Sequence, residues 1–368
     1  MTEFIYSANE KIPNRFFRYS FGVGRGGCGL DFTRYDEWKM VCDQYGWQPV
    51  RVEGDGRVFK VTLPDRELGL KRSGASYEKL MLLHRILEKM NHQGFVHTLP
   101  WELTPEGEPV VRTRTSCWYA VPWKEKGAGE VSARDVVMGL AHMHRFSEPV
   151  LKDYPELAGK TDERLIGKWE EKRQDLKSYQ EQIRAREFPS PFDQSAEQIF
   201  KQLDQSLSFA IRGMKRYLES EDGAPPRYAL CHIRIHPGNI VADQENFYFI
   251  DFDHAGVDSP VRDLALAVER LSDPSDPKNS PSALIQAYEE ICPLRSKEKK
   301  LLGLYLSYPE RLLKTLRIYY QDPKLLNDEP EAVSRLEQEM ARYEKTKALV
   351  RRLWMNRKKG KTNKEKRR

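Results

Sequence analysis

Residues 231–268 read CHIRIHPGNIVADQENFYFIDFDHAGVDSPVRDLALAV, and this stretch decides the fold. Two apolar runs, IVA and FYFI, are separated by the polar residues 243–246, a pattern that predicts a β-hairpin with its turn there. Asn239 precedes the first strand and Asp251 ends the second, so the hairpin would bring both side chains to one end. Because amide and carboxylate oxygens are ligands that suit Mg²⁺, a magnesium site is predicted at that end.

The preceding region, 46–123, predicts a small lobe that is rich in β-strands. WQPVRVEG, RVFKVTL and ELGLKRS read as three short strands, and SYEKLMLLHRILEKM reads as a helix with one apolar face. PWELT, PVVRTR and CWYAVPW read as further strands, the first two joined by a hairpin turn at PEGEP. Three strands, a helix and then more strands is the order of the small lobe of a protein kinase.

Residues 124–354 read as mostly helical. VSARDVVMGLAHMHRF has a candidate cap at Ser132, 162–186 reads as a solvated charged helix, and 194–220 reads as a core-facing helix. The predicted fold class is therefore α+β, a two-lobed protein-kinase-like fold with a small β-rich N-lobe and a large helical C-lobe. Its predicted parts are an N-terminal extension (1–45), the N-lobe (46–123), the C-lobe (124–354) and a basic tail (355–368).

The composition excludes several classes of protein. Hydrophobic residues make up 39% and charged residues 32% of the chain, which is typical of a globular protein with a polar surface. No apolar run reaches the ~18 residues of a transmembrane helix, and the N-terminus lacks the apolar segment of a secretory signal. The five cysteines are widely spaced and form no CxxC pair, which predicts reduced thiols, a cytoplasmic setting and no zinc site.

The net charge of +6 is concentrated at the C-terminus, where the last twelve residues carry eight basic side chains and one acidic one. This tail is predicted to be disordered. Two interpretations of it stay open, a solubilising end or a tether to an anionic partner. Nucleic acid is not favoured as that partner, because the tail has no aromatic residue for base stacking.

A glycine cluster at 22–29 resembles a dinucleotide loop, but no alternation of strands and helices follows, so a flexible loop is favoured.

The segment 231–268 resembles the catalytic region of the aminoglycoside phosphotransferase/choline kinase-like superfamily. The motif of that family is a His, an Asp two residues later, an Asn five residues after that, and then Asp-Phe-Asp or a variant of it. The residues that match in type and spacing are His232, Asn239, Asp251 and Asp253. The resemblance implies ATP and Mg²⁺ as cofactors, Asn239, Asp251 and Asp253 as metal ligands, and His232 as a member of the catalytic loop.

Further residues gain an expected role from the same resemblance. Asp263, in RDLALA, matches an aspartate that braces the catalytic loop, and YAVPWKEK at 119–126 resembles the hinge between the lobes. Lys71 resembles the lysine that contacts the nucleotide phosphates, with Glu78 chosen as its partner on the helix and Glu88 as the runner-up. The histidines that are interpreted as structural are His142, His144 (in a Leu-Ala-x-x-His helix) and His236.

Arg234 departs from the motif, because it stands where the family has its catalytic aspartate. A guanidinium has a pKa above ~12 and cannot accept a proton at neutral pH. Losing a positioned base typically costs ~10²–10⁴-fold in rate, so Arg234 predicts a pseudokinase in which nucleotide binding can persist. Arg234 is expected either to pair with Asp251 or Asp253 and partly replace the metal, or to bind a phosphate group directly.

Within the superfamily, the chain resembles the CotS-type spore-coat proteins of endospore-forming bacteria over residues 34–325. YGWQPVRVEGDGRVFKVTLPDRELGLKRS is similar to their opening, and SYPERLLKTLRIYYQ is similar to a late helix of theirs. This resemblance implies synthesis in the mother-cell cytoplasm, deposition in the spore coat, and other spore coat proteins as partners.

Three functions therefore stay open at the level of sequence. The first is a degenerate kinase-fold protein with a structural or assembly role in the spore coat. The second is an active ATP-dependent phosphotransferase that acts on a small hydroxylated molecule or on protein. The third is a nucleotide-sensing binding module, in which ATP binds but is not turned over.

Overall fold

A computed structural model describes residues 37–54, 56–125, 131–157, 164–220, 227–273, 275–322 and 328–365, without the side chains of 220 and 352–365. The glycine cluster at 22–29 lies outside the described residues. The chain divides into two compact units. The first contains the described residues up to His84 together with Pro100–Lys124, and the second contains Arg85–Leu99 and the described residues from Glu125 onward.

The first unit is built on a five-stranded antiparallel sheet in the order β1-β2-β3-β5-β4. Its elements are α1 (Glu37–Gln44), β1 (Arg51–Gly54), β2 (Val58–Thr62), β3 (Glu67–Ser73), α2 (Tyr77–His92, which continues into the second unit), β4 (Val111–Arg112) and β5 (Cys117–Pro122). The three strands and the helix predicted at the start of this region are confirmed. The residues expected on the apolar face of α2 are all buried, namely Leu80, Leu83, Leu87 and Met90.

The sheet buries one face because its apolar residues alternate along the strands. Val61 on β2 and Leu68 and Leu70 on β3 are at most 1% exposed. They belong to one apolar cluster with Trp118 of β5 and Val41 of α1. This cluster fixes the register of β3, the strand that carries Lys71.

The prediction of a strand at PWELT is wrong. Residues 100–104 contain no strand, although the backbone N–H of Glu102 donates to the carbonyl of Ala120 and a turn closes at Gly107. The prolines at 100 and 105 remove two backbone donors from this segment, which prevents a continuous ladder. Strand β4 is correspondingly short and covers only Val111–Arg112 of the predicted PVVRTR.

The second unit is mainly helical, with two small two-stranded sheets. Its helices are α3 (Ala133–Val150), α4 (Arg164–Arg184), α5 (Pro191–Ser220), α6 (Pro260–Leu271), α7 (Pro281–Ile291), α8 (Ser296–Leu306), α9 (Glu310–Gln321) and α10 (Glu329–Glu365), and its strands are β6 (Ala229–Cys231), β7 (Ile240–Ala242), β8 (Phe247–Phe249) and β9 (Gly256–Asp258). The predicted Ser132 cap is confirmed, because Ser132 and Asp135 form a reciprocal capping box at the start of α3.

Two expectations for the helices are corrected. The charged helix α4 is not simply solvated, since it buries Trp169, Leu176, Tyr179 and Ile183 as well as Ile166. Helix α10 continues to Glu365, so residues 355–365, which were expected to be a disordered tail, are helical. The lysine, arginine and glutamate residues of this stretch are strong helix formers. The prediction of disorder considered only the basic charge and not this helix propensity, which is why it was wrong.

Two further expectations concern membranes and thiols. None of the helices in the described ranges is long and apolar enough to cross a membrane. Cys42, Cys117, Cys231 and Cys292 are free thiols, as predicted, and Cys28 lies outside the described residues.

Glu269 on α6 is a buried carboxyl group among other charges. Burial, followed by the charges of Glu310 and Glu339, raises the pKa of Glu269 to about 8, against the opposing effect of Arg311. Its Oε1 atom is buried and has no hydrogen-bond partner among the described residues. The carboxyl group is therefore protonated in the folded state at neutral pH and ionised in the unfolded state.

The variant Glu269→Gln is expected to flatten the pH dependence of stability. Because the folded pKa is raised, the contribution of Glu269 is fully present below its ordinary pKa of 4.5 and is lost as the pH rises through about 8. We expect Glu269→Gln to become more stable relative to the wild type as the pH rises. The free energy of unfolding of the variant minus that of the wild type should be larger at pH 9 than at pH 5 by on the order of 3 kcal/mol. Urea unfolding at pH values from 5 to 9 measures this difference. Glu197→Gln, an exposed site on α5, serves as the control, and parallel wild-type and Glu269→Gln curves would contradict the expectation.

Candidate functional site

A β-hairpin brings Asn239 and Asp251, two of the three predicted metal ligands, to one end, as the sequence predicts. Strands β7 and β8 pair antiparallel, with Ile240 opposite Phe249 and Ala242 opposite Phe247. The backbone N–H of Ile250 donates to the carbonyl of Asn239 over 3.0 Å, which ties the residue before Asp251 to Asn239 itself. The turn closes where it was expected, through a hydrogen bond from the N–H of Asp243 to the carbonyl of Asn246.

The loop that follows β6 is braced by the buried carboxylate of Asp263. Its Oδ2 accepts from the N–H of His232 (2.5 Å), and its Oδ1 accepts from the N–H of Ile233 (2.7 Å). Ile233 has a φ of 66°, a left-handed conformation that costs a β-branched residue free energy. The two hydrogen bonds compensate this cost and set the direction in which the chain enters Arg234.

Asp263 is connected in turn to α3 and α7. The His144 Nε2 atom lies 3.3 Å from Asp263 Oδ2, and the His144 Nδ1 atom lies 2.7 Å from the hydroxyl of Tyr288. Burial by itself would raise the pKa of the Asp263 carboxyl, but the hydrogen bond and charge of His144, with smaller contributions from His232 and the Ile233 N–H, hold it below its usual value. The carboxylate is therefore ionised at neutral pH and acts as a double acceptor for the loop.

Cys231 lies close to this pair, so that the ligand atoms of His144, Cys231 and Asp263 fall within 4.8 Å of one another. These three residues are far apart along the chain, so only the tertiary structure brings them together. The triplet does not have the character of a metal site. Burial raises the pKa of the Cys231 thiol well above its usual value, and the thiol donates to the carbonyl of Ser259.

Both ring nitrogens of His232 form hydrogen bonds, one within the loop and one to the residue that follows β8. Its Nδ1 accepts from the N–H of Arg234 (3.3 Å), and its Nε2 lies 2.9 Å from the carbonyl of Ile250. Since a carbonyl can only accept, His232 is the neutral tautomer with its proton on Nε2. The side chain therefore links the loop to the end of the strand that delivers Asp251.

Arg234 is paired with a predicted metal ligand. Its Nη1 atom lies 3.8 Å from Asp251 Oδ2 and 3.1 Å from the Nε2 atom of His254. Because a guanidinium only donates, His254 Nε2 is the acceptor in this contact. The ion pair that the sequence offered as one of two expectations is thus present, with Asp251 as the partner. His254 was missed as a participant, although it directly follows Asp253.

The residue types of the three predicted metal ligands fit a divalent cation. Asn239 is 7% exposed, and its amide N–H donates to the carbonyl of Arg234 over 3.0 Å. Among the described residues nothing donates to its Oδ1, which leaves this neutral oxygen available as a ligand. Asp251 is in the left-handed conformation (φ 66°, ψ 61°), a strained geometry of the kind that concentrates at functional sites. Asn239, Asp251 and Asp253 would hold Mg²⁺, which would supply charge neutralisation for nucleotide phosphates.

His236 lies against the same loop and is not basic at neutral pH. Burial, and then the charges of Arg234 and Arg270, lower the pKa of His236 to about 4. Its ring packs so closely on Gly238 that a Cβ atom there would approach the ring to 3.1 Å. These contacts agree with the interpretation of His236 as a structural residue. Arg270 also contacts this loop, since its Nη1 atom donates to the carbonyl of Ile235 over 3.2 Å. The sequence pattern did not predict this contact.

The predicted nucleotide contacts belong to the first unit. Lys71 is opposite Tyr119 in the β3–β5 ladder, and its Nζ lies 6.0 Å from the centre of the Tyr119 ring. Glu78 is largely exposed and makes an ion pair of 3.1 Å with Arg112. The assignments of Lys71 to the phosphates and of Glu78 to Lys71 stay predictions.

The fold is shared with solved phosphotransferases. A sequence profile described as the phosphotransferase enzyme family matches residues 46–299. An aminoglycoside phosphotransferase from Alicyclobacillus acidocaldarius has a TM-score of 0.68 at 19% identity, covering 86% of this chain and 94% of its own. An AMP-bound spectinomycin phosphotransferase, APH(9)-Ia, has a TM-score of 0.57 at 18% identity, covering 84% of this chain and 96% of its own.

An amicoumacin kinase, hAmiN, in complex with AMP-PNP and Ca²⁺ has a TM-score of 0.52 at 15% identity, covering 86% of this chain and 94% of its own. No protein of curated function matches the chain significantly. At these identities the solved structures show the fold alone, and they confirm the predicted α+β kinase-like class.

Proposed function

The chain belongs to the phosphotransferase enzyme family, and we propose that it acts as a kinase-fold protein that binds a nucleotide but transfers phosphate poorly or not at all. The observation that carries this proposal is the ion pair between Arg234 and Asp251, with its 3.8 Å separation. A permanent cation occupies the position expected for the base and also shares a carboxylate expected to hold the metal. Both effects reduce phosphate transfer, while Asn239 and Asp253 are the other two residues expected to donate oxygens to a bound metal–nucleotide complex.

Restoring the carboxylate is expected to raise turnover. We expect Arg234→Asp to release phosphate from ATP at least ~10²-fold faster than the wild type, because a positioned base contributes about that much. Arg234→Ala is the matched control, since it breaks the ion pair without supplying a base, and it should show no such gain. Phosphate release and transfer to candidate acceptors are measured with Mg²⁺ present. Wild-type transfer at the ~1–100 s⁻¹ of active kinases would overturn the proposal.

We further propose that this protein has a structural or assembly role in the spore coat, where other coat proteins would be its partners. The support is the likeness of 34–325 to CotS-type proteins. Immunoblotting of fractionated spores from the source organism tests this, with the chain expected in the coat fraction. Confinement to the mother-cell soluble fraction would contradict it.

An active phosphotransferase is the second candidate. The presence of Asn239, Asp251 and Asp253 favours it, because oxygen donors of this kind hold the Mg²⁺ that neutralises the charge on a transferred phosphate. Thermal-shift assays with ATP, with and without Mg²⁺, combined with the transfer assay, separate these alternatives. A shift without transfer favours the binding role.

A further inference from the structure

Arg234 uses only one edge of its guanidinium for the contacts described above. Nη1 faces Asp251 and His254. Among the residues that the structure describes, Nε and Nη2 have no hydrogen-bond partner, and 40% of the side chain is exposed. The Nε–Nη2 edge is the planar fork that binds two oxygens of a phosphate or carboxylate at once.

This fork is held in place before any ligand arrives. The backbone N–H of Arg234 donates to His232 Nδ1, and its carbonyl accepts from the amide of Asn239. The contact of Nη1 with Asp251 fixes the far end of the side chain. An arginine restrained at its backbone and at one guanidinium nitrogen loses less conformational entropy when it binds an anion, which favours affinity.

The charges around Arg234 also suit an anion that carries no metal. The guanidinium of Arg234 already neutralises part of the negative charge of Asp251. Less Mg²⁺ is therefore needed to offset the charge of the carboxylates before a phosphate can approach. We propose that the Nε–Nη2 edge of Arg234 binds a phosphate group of the nucleotide directly, so that nucleotide binding does not require a divalent metal ion. This inference rests on the proposed function, in which nucleotide binding is retained.

The test compares ADP binding to the full chain in EDTA and in Mg²⁺ by isothermal titration calorimetry, with adenosine as the ligand that lacks phosphate. We expect the wild type to bind ADP in EDTA within about threefold of its affinity in Mg²⁺, and adenosine at least about tenfold more weakly. ADP binding that requires Mg²⁺ would overturn this inference and leave the proposed nucleotide binding intact. No ADP binding in either condition would overturn both.

Variants assign the effect to the fork. Arg234→Lys keeps the charge but loses the planar pair of donors, and we expect it to weaken ADP binding in EDTA by about tenfold. Arg234→Asp should bind ADP only when Mg²⁺ is present, since it removes the cation and restores a carboxylate. Arg216→Gln, at an exposed position on α5, is the control for loss of one positive charge and should bind as the wild type does. Unchanged affinity of Arg234→Lys and Arg234→Asp in EDTA, with melting curves that show folded protein, would overturn the inference.

Discussion

Replacing Asp263 by alanine is expected to lower the free energy of unfolding by about 3–5 kcal/mol, the range for breaking a buried charged contact. The side chain is fully buried, and its two oxygens accept the N–H groups of His232 and Ile233. Alanine would leave both N–H groups without an acceptor, each at a desolvation cost of ~1–3 kcal/mol. It would also remove the contacts that compensate the left-handed backbone of Ile233.

Chemical denaturation measures this loss, and nucleotide thermal shifts report whether the loop keeps its geometry. Asp263→Asn has the same shape but presents an amide N–H₂ to one of the two backbone donors, so it should also be destabilised. The control is Asp175→Ala, which removes a partly exposed carboxylate that pairs with Lys172, and should cost at most ~1 kcal/mol. Equal stabilities of Asp263→Ala and Asp175→Ala would show that Asp263 does not brace the loop.

Removing Arg227 is expected to have an effect of similar size. Its Nε and Nη2 atoms donate to the two carboxylate oxygens of Glu298, at 2.8 and 3.1 Å, and the side chains are 9% and 0% exposed. Arg227→Ala would leave the carboxylate of Glu298 buried without its cation, which typically costs about 3–5 kcal/mol. Arg227 lies two residues before β6, so the damage should reach the strand that leads into the loop containing Arg234.

An exposed ion pair between two helices serves as the control for Arg227→Ala. Arg134 on α3 and Glu290 on α7 approach to 2.6 Å but are 43% and 44% exposed, and Arg134→Ala should cost no more than ~1 kcal/mol. The double variant Arg227→Met with Glu298→Leu removes both buried charges and should recover most of the stability lost by Arg227→Ala. Denaturant midpoints of the wild type, Arg227→Ala, Arg134→Ala and the double variant measure these differences in stability. A loss of stability in Arg227→Ala no larger than that in Arg134→Ala would contradict the prediction and indicate that water reaches Glu298.

The local pattern of the sequence was sufficient for the elements that carry the candidate site. Apolar runs around a polar turn predicted the β7–β8 hairpin, and the 3.6-residue period predicted the buried face of α2, since both depend on neighbours along the chain. The strand at PWELT was wrong because its pairing depends on a partner strand and on prolines that remove donors. The prediction of a disordered tail was wrong because composition does not distinguish a solvated helix from a coil.

The sequence by itself determined that Arg234, Asn239, Asp251 and Asp253 follow one another in this order and at this spacing, because residue identity and spacing are properties of the chain alone. Only the tertiary structure decided that Asp251 is the partner of Arg234, that His254 shares the same guanidinium nitrogen, and that the other edge is open among the described residues. The physical reason is that an ion pair depends on separations of a few ångströms between side chains. Those separations are set by β-hairpin pairing and by the Asp263 brace, which join residues up to 31 positions apart.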